Sequence, residues 1–258
     1  MIFKVGITGA SGVLGSELKK KIKKNISIFK GDITKKEDVY NWVKNNKFKS
    51  IYHFAAVVPI KEFNKNIKKS FKVNSKGTKY LVDAIIKFQS KKLWFFYSST
   101  SHVYKLKNQF VKSKETEKCI PQSSYGLSKR YAEKYVIKKF SEHKYKYLIG
   151  RIFSFTHKNQ KKSFFVPTII EKLLKFKKNK INKLDKLNHY RDFLTTKDII
   201  SAILFLEKRK QIGIFNIGSG EKISLIEIIN HLNKKINKII KNEKKTNSTY
   251  LVANISKL

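Results

Sequence analysis

A glycine-rich segment that follows the first apolar run constrains the fold of this chain more than any other feature. Residues 3–8 (FKVGIT) have the character of a buried strand, and residues 9–15 (GASGVLG) lead from it into a helix. In this arrangement Gly9 permits a tight turn, Gly12 lets a backbone approach a pyrophosphate, and Gly15 lets the helix pack against the strand. The helix N-terminus then offers free N–H groups to the phosphates. The segment therefore predicts a dinucleotide-binding site.

The alternation of strands and helices after this segment predicts a parallel sheet. Strands are predicted at residues 26–33, 50–55, 93–98 and 147–151, and helices at 35–46, 67–88 and from a Ser124 cap to about residue 140. Such an alternation is typical of a doubly wound α/β sheet, the Rossmann fold, with helices on both faces. Cofactors bind these sheets at the carboxyl ends of the strands. The predicted ends at Thr8, Asp32, Ala55 and Ser98 are followed by small or polar residues, which leave room for a ligand.

The last 110 or so residues are less regular. They contain predicted helices at 166–177, 196–208 and 224–236 and a short strand at 214–217. We interpret residues 1–150 as a dinucleotide-binding domain and 151–258 mainly as a small substrate-binding lobe with strands that return to the sheet. The polar segment 175–188 is predicted to be a solvated loop.

The formal net charge of +40 raises the prospect of a nucleic-acid or anionic-membrane partner. The excess is almost all lysine, however, and it is spread over the whole length together with abundant Asn, Ile and Phe. This pattern indicates a composition bias rather than a binding patch. Lysine cannot replace the planar fork with which arginine grips a phosphate. The arginines are therefore the more informative cations, and they are Arg130, Arg151, Arg191 and Arg209.

The cysteine and histidine content argues against a metal site. Cys119 is the single cysteine, which excludes a disulfide within the chain, and the six histidines form no HxH or HxxxH pair. No apolar run approaches the roughly 18 to 20 residues of a membrane span, and no basic leader precedes the first strand. We expect a soluble, cytoplasmic protein.

A tyrosine and a lysine at helical spacing form the candidate proton-transfer site. Tyr125 and Lys129 lie four residues apart and share a helix face. The ammonium group favours the phenolate and should lower a phenol pKa that is about 10 in water, so the phenol can act as an acid or base near neutral pH. Thr100, from a neighbouring strand end, can hold the substrate oxygen with its hydroxyl. The pattern predicts chemistry in which a cofactor performs the redox step and the protein supplies protons.

The same spacing also arises by chance in a chain this rich in lysine. Tyr40 with Lys44 and Tyr135 with Lys139 fit it as well, and both pairs are interpreted as packing or solvated residues of helices. Tyr125 differs because it follows a strand end rich in hydroxyl groups and opens its helix.

Eight segments together carry a resemblance to a known family. They are TGASGVLG at Thr8, GDI at Gly31, HFAA at His53, VNSKGT at Val73, SSTSHVY at Ser98, YGLSK at Tyr125, RDF at Arg191 and FNIGSGEKIS at Phe215. Over nearly its full length the chain resembles the extended short-chain dehydrogenases/reductases, in particular the nucleotide-sugar epimerases, dehydratases and reductases.

The resemblance implies a role for each matching residue. Tyr125 would be the acid/base, Lys129 its activator and a ribose ligand, and Thr100 the substrate hydroxyl partner. NAD or NADP would bind at Gly9, Ser11, Gly12, Val13, Leu14, Gly15, Lys30, Asp32, Ile33, Ala55, Ala56, Asn74, Ser98, Tyr125 and Lys129. The substrate, a nucleotide-diphosphate sugar, would contact Thr100, Ser101, Ser154 and Arg191, with the Arg191 guanidinium on the diphosphate. Asn74 would support the site from its helix, a homodimer is expected, and His53 and His102 are expected to be structural neighbours.

The chain departs from the family pattern at three places. Dehydratases usually follow the catalytic Thr with an Asp-Glu pair, whereas Ser101 and His102 stand here, so dehydration is not expected. The acidic residue that grips the adenosine ribose after the second strand is not evident, and Lys30 would welcome a 2′-phosphate, so NADP is as plausible as NAD. The third departure follows Arg151, where the family often has an Asn and then a Tyr-Gly-Pro-like turn, whereas Ser154, Phe155, Thr156 and His157 stand here; the resemblance therefore says less about the substrate contacts of this loop.

Two functions from different classes follow. The first is an NAD(P)-dependent nucleotide-sugar epimerase or 4-keto reductase. The alternative is a catalytically idle member of the fold that senses the cofactor or binds nucleic acid. The intact set of Thr100, Tyr125 and Lys129 argues against idleness, and scattered lysines without interleaved aromatic residues argue against specific nucleic-acid recognition.

Overall fold

The computed structural model describes residues 3–177, 180–185, 187–242 and 247–258. The strands are β1 Lys4–Thr8, β2 Ile26–Ile28, β3 Phe48–His53, β4 Trp94–Thr100, β5 Lys146–Ile152, β6 Ser154–Thr156, β7 Asn182–Leu184, β8 Tyr190–Arg191, β9 Phe193–Thr195, β10 Gly213–Ile217, β11 Ile223–Ser224, β12 Ile240–Asn242 and β13 Tyr250–Leu251. The α-helices are α1 Val13–Lys21, α2 Lys36–Lys44, α3 Ile60–Lys65, α4 Ile67–Phe71, α5 Gly77–Phe88, α6 Ser124–Glu142, α7 Phe165–Lys175, α8 Thr196–Lys208 and α9 Leu225–Asn233.

A sheet of six parallel strands forms the centre of the molecule, in the order β10-β5-β4-β3-β1-β2. Its inner strands are apolar on both faces, as buried parallel strands are, and the first four residues of β4 are all buried. One face packs on α2, α5 and α6 around a core that includes Val39, Leu81 and Val136. The other face packs on α1 and α8 around a core that includes Leu18 and Ile203. The predicted doubly wound fold is confirmed.

The strand order places a ligand-binding crevice between β1 and β3. The chain passes from β1 to β2 on one side and then returns to build β3, β4 and β5 on the other side, which makes this the switch point of the sheet. β10 returns from the second half of the chain and pairs with β5 at the far edge. The domain boundary at residue 150 stays a prediction.

The remaining strands form small sheets on the side of the molecule where the carboxyl ends of β4 and β5 lie. β8 pairs with β11 and β13, β9 with β6, and β7 with β12. The buried carboxylate of Asp192 accepts hydrogen bonds from the backbone of Ser219, Gly220 and Ala253, and so ties three segments together. A separate apolar core under α7 and α9 includes Leu173 and Ile229.

Several predicted boundaries were wrong for identifiable physical reasons. β2 ends at Ile28 rather than at residue 33, because Asp32 instead turns the chain: its carboxylate accepts hydrogen bonds from the Thr34 backbone and hydroxyl, both at 2.8 Å. The helix predicted at 67–88 contains a π-helical turn at Lys72–Lys76. Ser123, not Ser124, caps α6, with its hydroxyl oxygen accepting from the Gly126 N–H at 3.1 Å.

The segment predicted as a loop at 175–188 contains strand β7, which pairs with β12. Residues 178, 179 and 186 of that segment lie outside the described residues. Within the described ranges no helix is long and apolar enough to cross a membrane, and no group of three or more His, Cys, Asp or Glu side chains is arranged to hold a metal ion.

Candidate active site

A cavity of about 630 Å³ opens at the carboxyl ends of β1, β3, β4 and β5. Most of the residues predicted for the site line it, although they come from five separate parts of the chain. The predicted residues in its wall are Gly9, Ser11, Gly12, Val13, Leu14, Gly15, Ala55, Ala56, Ser98, Thr100, Ser101, Tyr125, Lys129 and Ser154. The fold therefore brings the glycine turn and the candidate proton-transfer residues to one place.

The glycine turn is built for close approach. Gly9 has φ +69°, and a Cβ there would lie 2.6 Å from the Ala55 backbone nitrogen. A Cβ on Gly15 would lie 2.3 Å from the Gly9 carbonyl oxygen, so a side chain would separate α1 from the turn. α1 begins after Gly12 with no side-chain cap and no acidic residue in its first turn. Its N-terminal N–H groups are thus available to an anion, as a pyrophosphate requires.

A second cavity of about 470 Å³ continues from the first at the end of β2. Both cavities are lined by Gly9, Ser11 and Ala55, and the second adds Lys30, Asp32 and Ile33 to its wall. Hydrogen bonds from Thr34 lower the pKa of the Asp32 carboxyl group. Lys30 is exposed at the rim. The two cavities share part of their walls and together extend from the end of β2 to the carboxyl ends of β4 and β5.

Thr100, Tyr125 and Lys129 are held by regular elements. Thr100 ends β4 and is 6% exposed, and its hydroxyl oxygen accepts a weak hydrogen bond from the His102 N–H at 3.3 Å. Tyr125 lies in the first turn of α6, where its ring packs edge-on against Phe63. Lys129 follows one turn later and is 3% exposed. The two side chains lie on one buried face of α6, as their spacing of four residues predicts. This face lies next to the end of β4.

Burial dominates the pKa values of both helix residues. It raises the pKa of the Tyr125 phenol to about 12, while interaction with the Thr100 hydroxyl acts in the opposite direction. Burial also lowers the pKa of the Lys129 ammonium group to about 7. The expected lowering of the Tyr125 pKa by Lys129 was therefore wrong for this structure, because both groups are removed from water and desolvation disfavours both charged forms.

Asn74 was predicted to contact the cofactor, but it does not line either cavity. It lies in the π-helical turn and is 1% exposed. Its carboxamide oxygen accepts from the Val57 N–H at 2.7 Å, and its nitrogen donates to the Ser128 hydroxyl at 3.1 Å. The residue therefore holds the loop after β3 against α6, and its support of the site is indirect.

Arg191 also lies outside the cavity wall. Its guanidinium donates to the Thr249 carbonyl at 2.9 Å and to the Thr249 hydroxyl at 3.1 Å, which binds β8 to the segment before β13. Burial lowers its pKa to about 10, and no carboxylate among the described residues pairs with it. In this structure the guanidinium donates its hydrogen bonds to oxygen atoms of the protein. Its binding to a diphosphate stays a prediction.

His102 lines the cavity, in contrast to the expectation of a purely structural role. Its ring lies edge-on to Tyr125, with 5.9 Å between the ring centres. Burial, assisted by the charge of Arg191, lowers its pKa to about 4, so the imidazole is neutral at pH 7. His53 does have a structural role, because its two ring nitrogens form hydrogen bonds with the hydroxyl groups of Thr8 at 2.6 Å and Thr78 at 2.9 Å. These bonds connect β3 to β1 and α5.

Sequence reasoning missed a group of aromatic and lysine residues that form part of the cavity wall. This wall is rich in phenylalanine and carries two lysines at its rim, and no Asp or Glu of the described residues lines it. The missed residues include Phe54, Lys61, Phe153, Phe155, Lys161, Phe164, Phe165 and Phe193. Phe165 begins α7 and also packs on the core under α7 and α9, so its place in the cavity wall had no separate signal in the sequence.

Comparisons with known proteins agree with this geometry. The sequence profile described as GDP-mannose 4,6 dehydratase matches residues 7–257. The chain is 28% identical over 215 residues to dTDP-D-glucose 4,6-dehydratase of Dictyostelium discoideum, covering 79% of this chain and 49% of that protein. It is 26% identical over 263 residues to dTDP-4-dehydro-6-deoxyglucose reductase of Escherichia coli, covering 90% and 81%. The chain thus spans about half the length of the first of these relatives.

Among solved structures, the fold is similar to UDP-glucose 4-epimerase of Thermus thermophilus, which was determined in complex with NAD. The TM-score is 0.84 at 19% identity, and the match covers 99% of this chain and 91% of that one. At this level of identity the likeness concerns the fold.

Proposed function

The chain belongs to the GDP-mannose 4,6 dehydratase family of extended short-chain dehydrogenases/reductases, and from this we propose that it is an NAD(P)-dependent enzyme acting at a ring carbon of a nucleotide-diphosphate sugar. The observation that carries the proposal is that the glycine turn, Thr100, Tyr125 and Lys129 all line the same cavity. The first candidate reaction is reduction of a 4-keto sugar, and the second is 4-epimerisation.

The residues present fit a nicotinamide dinucleotide. The free N-terminus of α1 at Gly12 would hold the pyrophosphate, and the second cavity, with Lys30 and Asp32, would hold the adenosine end. When bound, the nicotinamide supplies or accepts the hydride. Lys30, which is exposed at the rim of this cavity, favours NADPH, because a 2′-phosphate gains from a cation there.

Tyr125 would exchange the proton that accompanies hydride transfer. Its pKa of about 12 keeps the phenol protonated at neutral pH, ready to give a proton to a carbonyl oxygen. Thr100 would hydrogen-bond the same oxygen and fix its position. Lys129, when protonated, would stabilise the phenolate that remains. Because this arrangement serves the reductive direction without further change, ketoreduction comes first.

Epimerisation needs both directions of the same proton transfer. It remains the second candidate because the RDF and FNIGSGEKIS segments resemble those common among epimerases. Some relatives are dehydratases, but elimination of water requires a further acid/base, and no carboxylate of the described residues lines the cavity. Dehydration is therefore not part of the proposal.

The substrate side of the cavity suits an anion with an apolar neighbour. Lys61 and Lys161 lie exposed at its rim and would attract a diphosphate, while Phe155, Phe164 and Phe193 would pack on a sugar or base. We include in the proposal a homodimer formed through α6, on which Leu127 and Tyr131 are 43% and 56% exposed. Sedimentation of the purified protein tests this last point.

The reaction is tested by identifying the cofactor and then the substrate. The purified protein is denatured, and released nicotinamide nucleotides are identified by mass spectrometry. The protein is then incubated with dTDP-, GDP- and UDP-linked 4-keto-6-deoxy sugars and NADPH or NADH, with absorbance followed at 340 nm. Stoichiometric consumption of NADPH with the keto sugar is the expected result.

Tightly bound NAD, together with interconversion of UDP-glucose and UDP-galactose without net oxidation, would instead establish epimerisation. The proposal would be overturned if the protein bound no nicotinamide cofactor, or if its main reaction were elimination of water from the sugar.

A further inference from the structure

A fully buried carboxylate lies one helical turn beyond Lys129. Glu133 is 0% exposed, and its two oxygens accept four hydrogen bonds. Ser99 donates to one oxygen at 2.5 Å, and Arg130 donates to the other at 2.8 Å. Arg151 binds both, with its Nε at 3.1 Å and an Nη at 3.0 Å. A buried carboxylate is stable only when it is paired as completely as this.

The contacts of Glu133 join the elements that carry the proton-transfer residues. Ser99 directly precedes Thr100 in β4, whereas Glu133 shares α6 with Tyr125 and Lys129. One carboxylate therefore links the strand end that carries Thr100 to the helix that carries Tyr125 and Lys129. No other ion pair of the described residues connects these two elements to β5 in this way.

The far side of the ion pair extends the network into the second half of the chain. Arg151 also donates to the Tyr104 hydroxyl at 2.9 Å, and Tyr104 donates to the Asn216 side-chain oxygen at 2.7 Å in β10. Asn216 in turn donates to the Ser113 carbonyl at 2.8 Å. With its partners paired in this way, the network resists movement of the Glu133 carboxylate.

The charged surroundings of Lys129 give Glu133 a second effect. Lys129 Nζ lies over the Tyr97 ring of β4, and His53 of β3 faces it as a neutral imidazole. Tyr125 on its own helix is a protonated phenol. Glu133 is the neighbouring group that carries negative charge, and it raises the Lys129 pKa against the larger effect of burial.

We propose that Glu133 is a positioning residue of this site: its carboxylate ties the strand end that carries Thr100 to the helix that carries Tyr125, and it places a negative charge one helical turn from Lys129. The expected effect of Glu133 on catalysis rests on the proposed function. The electrostatic part of the inference concerns Lys129 alone and is open to measurement without substrate.

Two substitutions should shift the titration of Lys129 in opposite directions. Glu133→Gln removes the negative charge and leaves Arg151 uncompensated, so Lys129 should lose its proton at a pH lower by about one unit. Arg130→Met removes a cation from the rim of the pair but leaves the Arg151 contact intact. Its side chain is 24% exposed, so the opposite shift should be smaller, about 0.3 unit. A purely structural defect would not produce shifts of opposite sign.

Competitive acetylation provides the measurement. Trace acetic anhydride reacts with the protein between pH 5 and 11, and peptide mass spectrometry follows the reactivity of Lys129, which lines the cavity and is reachable by a small reagent. Asp83→Asn is the matched control, since Asp83 accepts a hydrogen bond from Tyr135 away from the cavity. Its Lys129 titration should equal that of the wild type.

If Glu133→Gln does not fold, Ser99→Ala and Arg130→Met carry the test. Ser99→Ala should lower kcat at least tenfold with little change in KM, because the strand end that carries Thr100 loses its hydrogen bond to the Glu133 carboxylate of α6. Equal Lys129 titration in Arg130→Met and wild type, or unchanged kcat in Ser99→Ala, would overturn the inference. Absence of activity on every sugar would overturn the proposed function. It would not affect the test of the Lys129 titration, which is measured without substrate.

Discussion

The side-chain nitrogen of Lys129 lies 4.6 Å from the centre of the Tyr97 ring, so this cation sits on the face of an aromatic side chain inside the fold. Such a contact offsets part of the cost of burying the charge. No carboxylate of the described residues forms an ion pair with it, and burial lowers its pKa from 10.5 to about 7. A buried lysine held in this way costs stability when it is charged.

This cost predicts that the free energy of unfolding rises with pH through the range where Lys129 titrates. Between pH 7 and 10.5 the unfolded chain binds a proton that the folded chain has lost, so raising the pH favours the folded state by up to about 1.4 kcal/mol per pH unit. Urea unfolding of wild type and Lys129→Met at pH 7 to 10 measures this, and the variant should show the shallower slope. Lys134→Met, an exposed lysine of the same helix, should keep the wild-type slope. Equal slopes in all three proteins would mean that folded Lys129 titrates normally.

Removal of the Tyr125 hydroxyl should abolish proton transfer and little else. We expect Tyr125→Phe to lower kcat by about 10² to 10⁴, the usual contribution of a general acid. Binding of NADPH, followed by its fluorescence, should change little, because the ring and its contact with Phe63 remain.

Tyr135→Phe is the matched control for this substitution, since Tyr135 also precedes a lysine by four residues but donates to Asp83 outside the cavity. It should retain wild-type kcat. A Tyr125→Phe enzyme with more than half of the wild-type kcat would remove Tyr125 from the mechanism.

Two glycines of the glycine turn should have different roles: Gly15 should be needed for stability and Gly12 for ligand binding. Gly15→Ala places a Cβ 2.3 Å from the Gly9 carbonyl, and forcing the backbone apart should lower stability by about 1 to 3 kcal/mol. Gly12 has φ −74°, and its Cβ would meet only the Gly9 carbonyl at 3.3 Å. Gly12→Ala should therefore fold with a nearly unchanged Tm but bind NADPH at least tenfold more weakly. Calorimetry and fluorescence titration check the two variants, and equal losses of Tm in both would contradict this division.

Local patterns predicted the sheet and most of the named residues that line the two cavities, because the relevant residues are adjacent in sequence. The glycine turn, the Tyr125–Lys129 pair and the strand ends each act within one or two elements. Glu133 and Arg151 were missed as partners because their pairing joins α6 to β5 across 18 residues, although a glutamate one turn after Lys129 was visible.

Asn74 and Arg191 lie outside the cavity walls for a related reason. Sequence position near a motif does not specify whether a side chain turns toward the ligand or toward the backbone. Asn74 satisfies the backbone of Val57, and Arg191 satisfies that of Thr249, because these polar groups would otherwise be buried without partners.

Lys30 should set the preference between the two nicotinamide cofactors. It is exposed at the end of β2, and it lines the cavity that would receive the adenosine ribose. Lys30→Glu replaces an attraction for a 2′-phosphate by a repulsion and offers a carboxylate to a free 2′-hydroxyl. The ratio of the NADPH and NADH dissociation constants should therefore move at least tenfold toward NADH, as measured by fluorescence titration at low and moderate salt. Lys23→Glu, an exposed lysine outside both cavity walls, makes the same change in net charge and should leave the ratio unaltered. If both variants shift the ratio equally, the overall charge of the protein rather than Lys30 would govern cofactor choice.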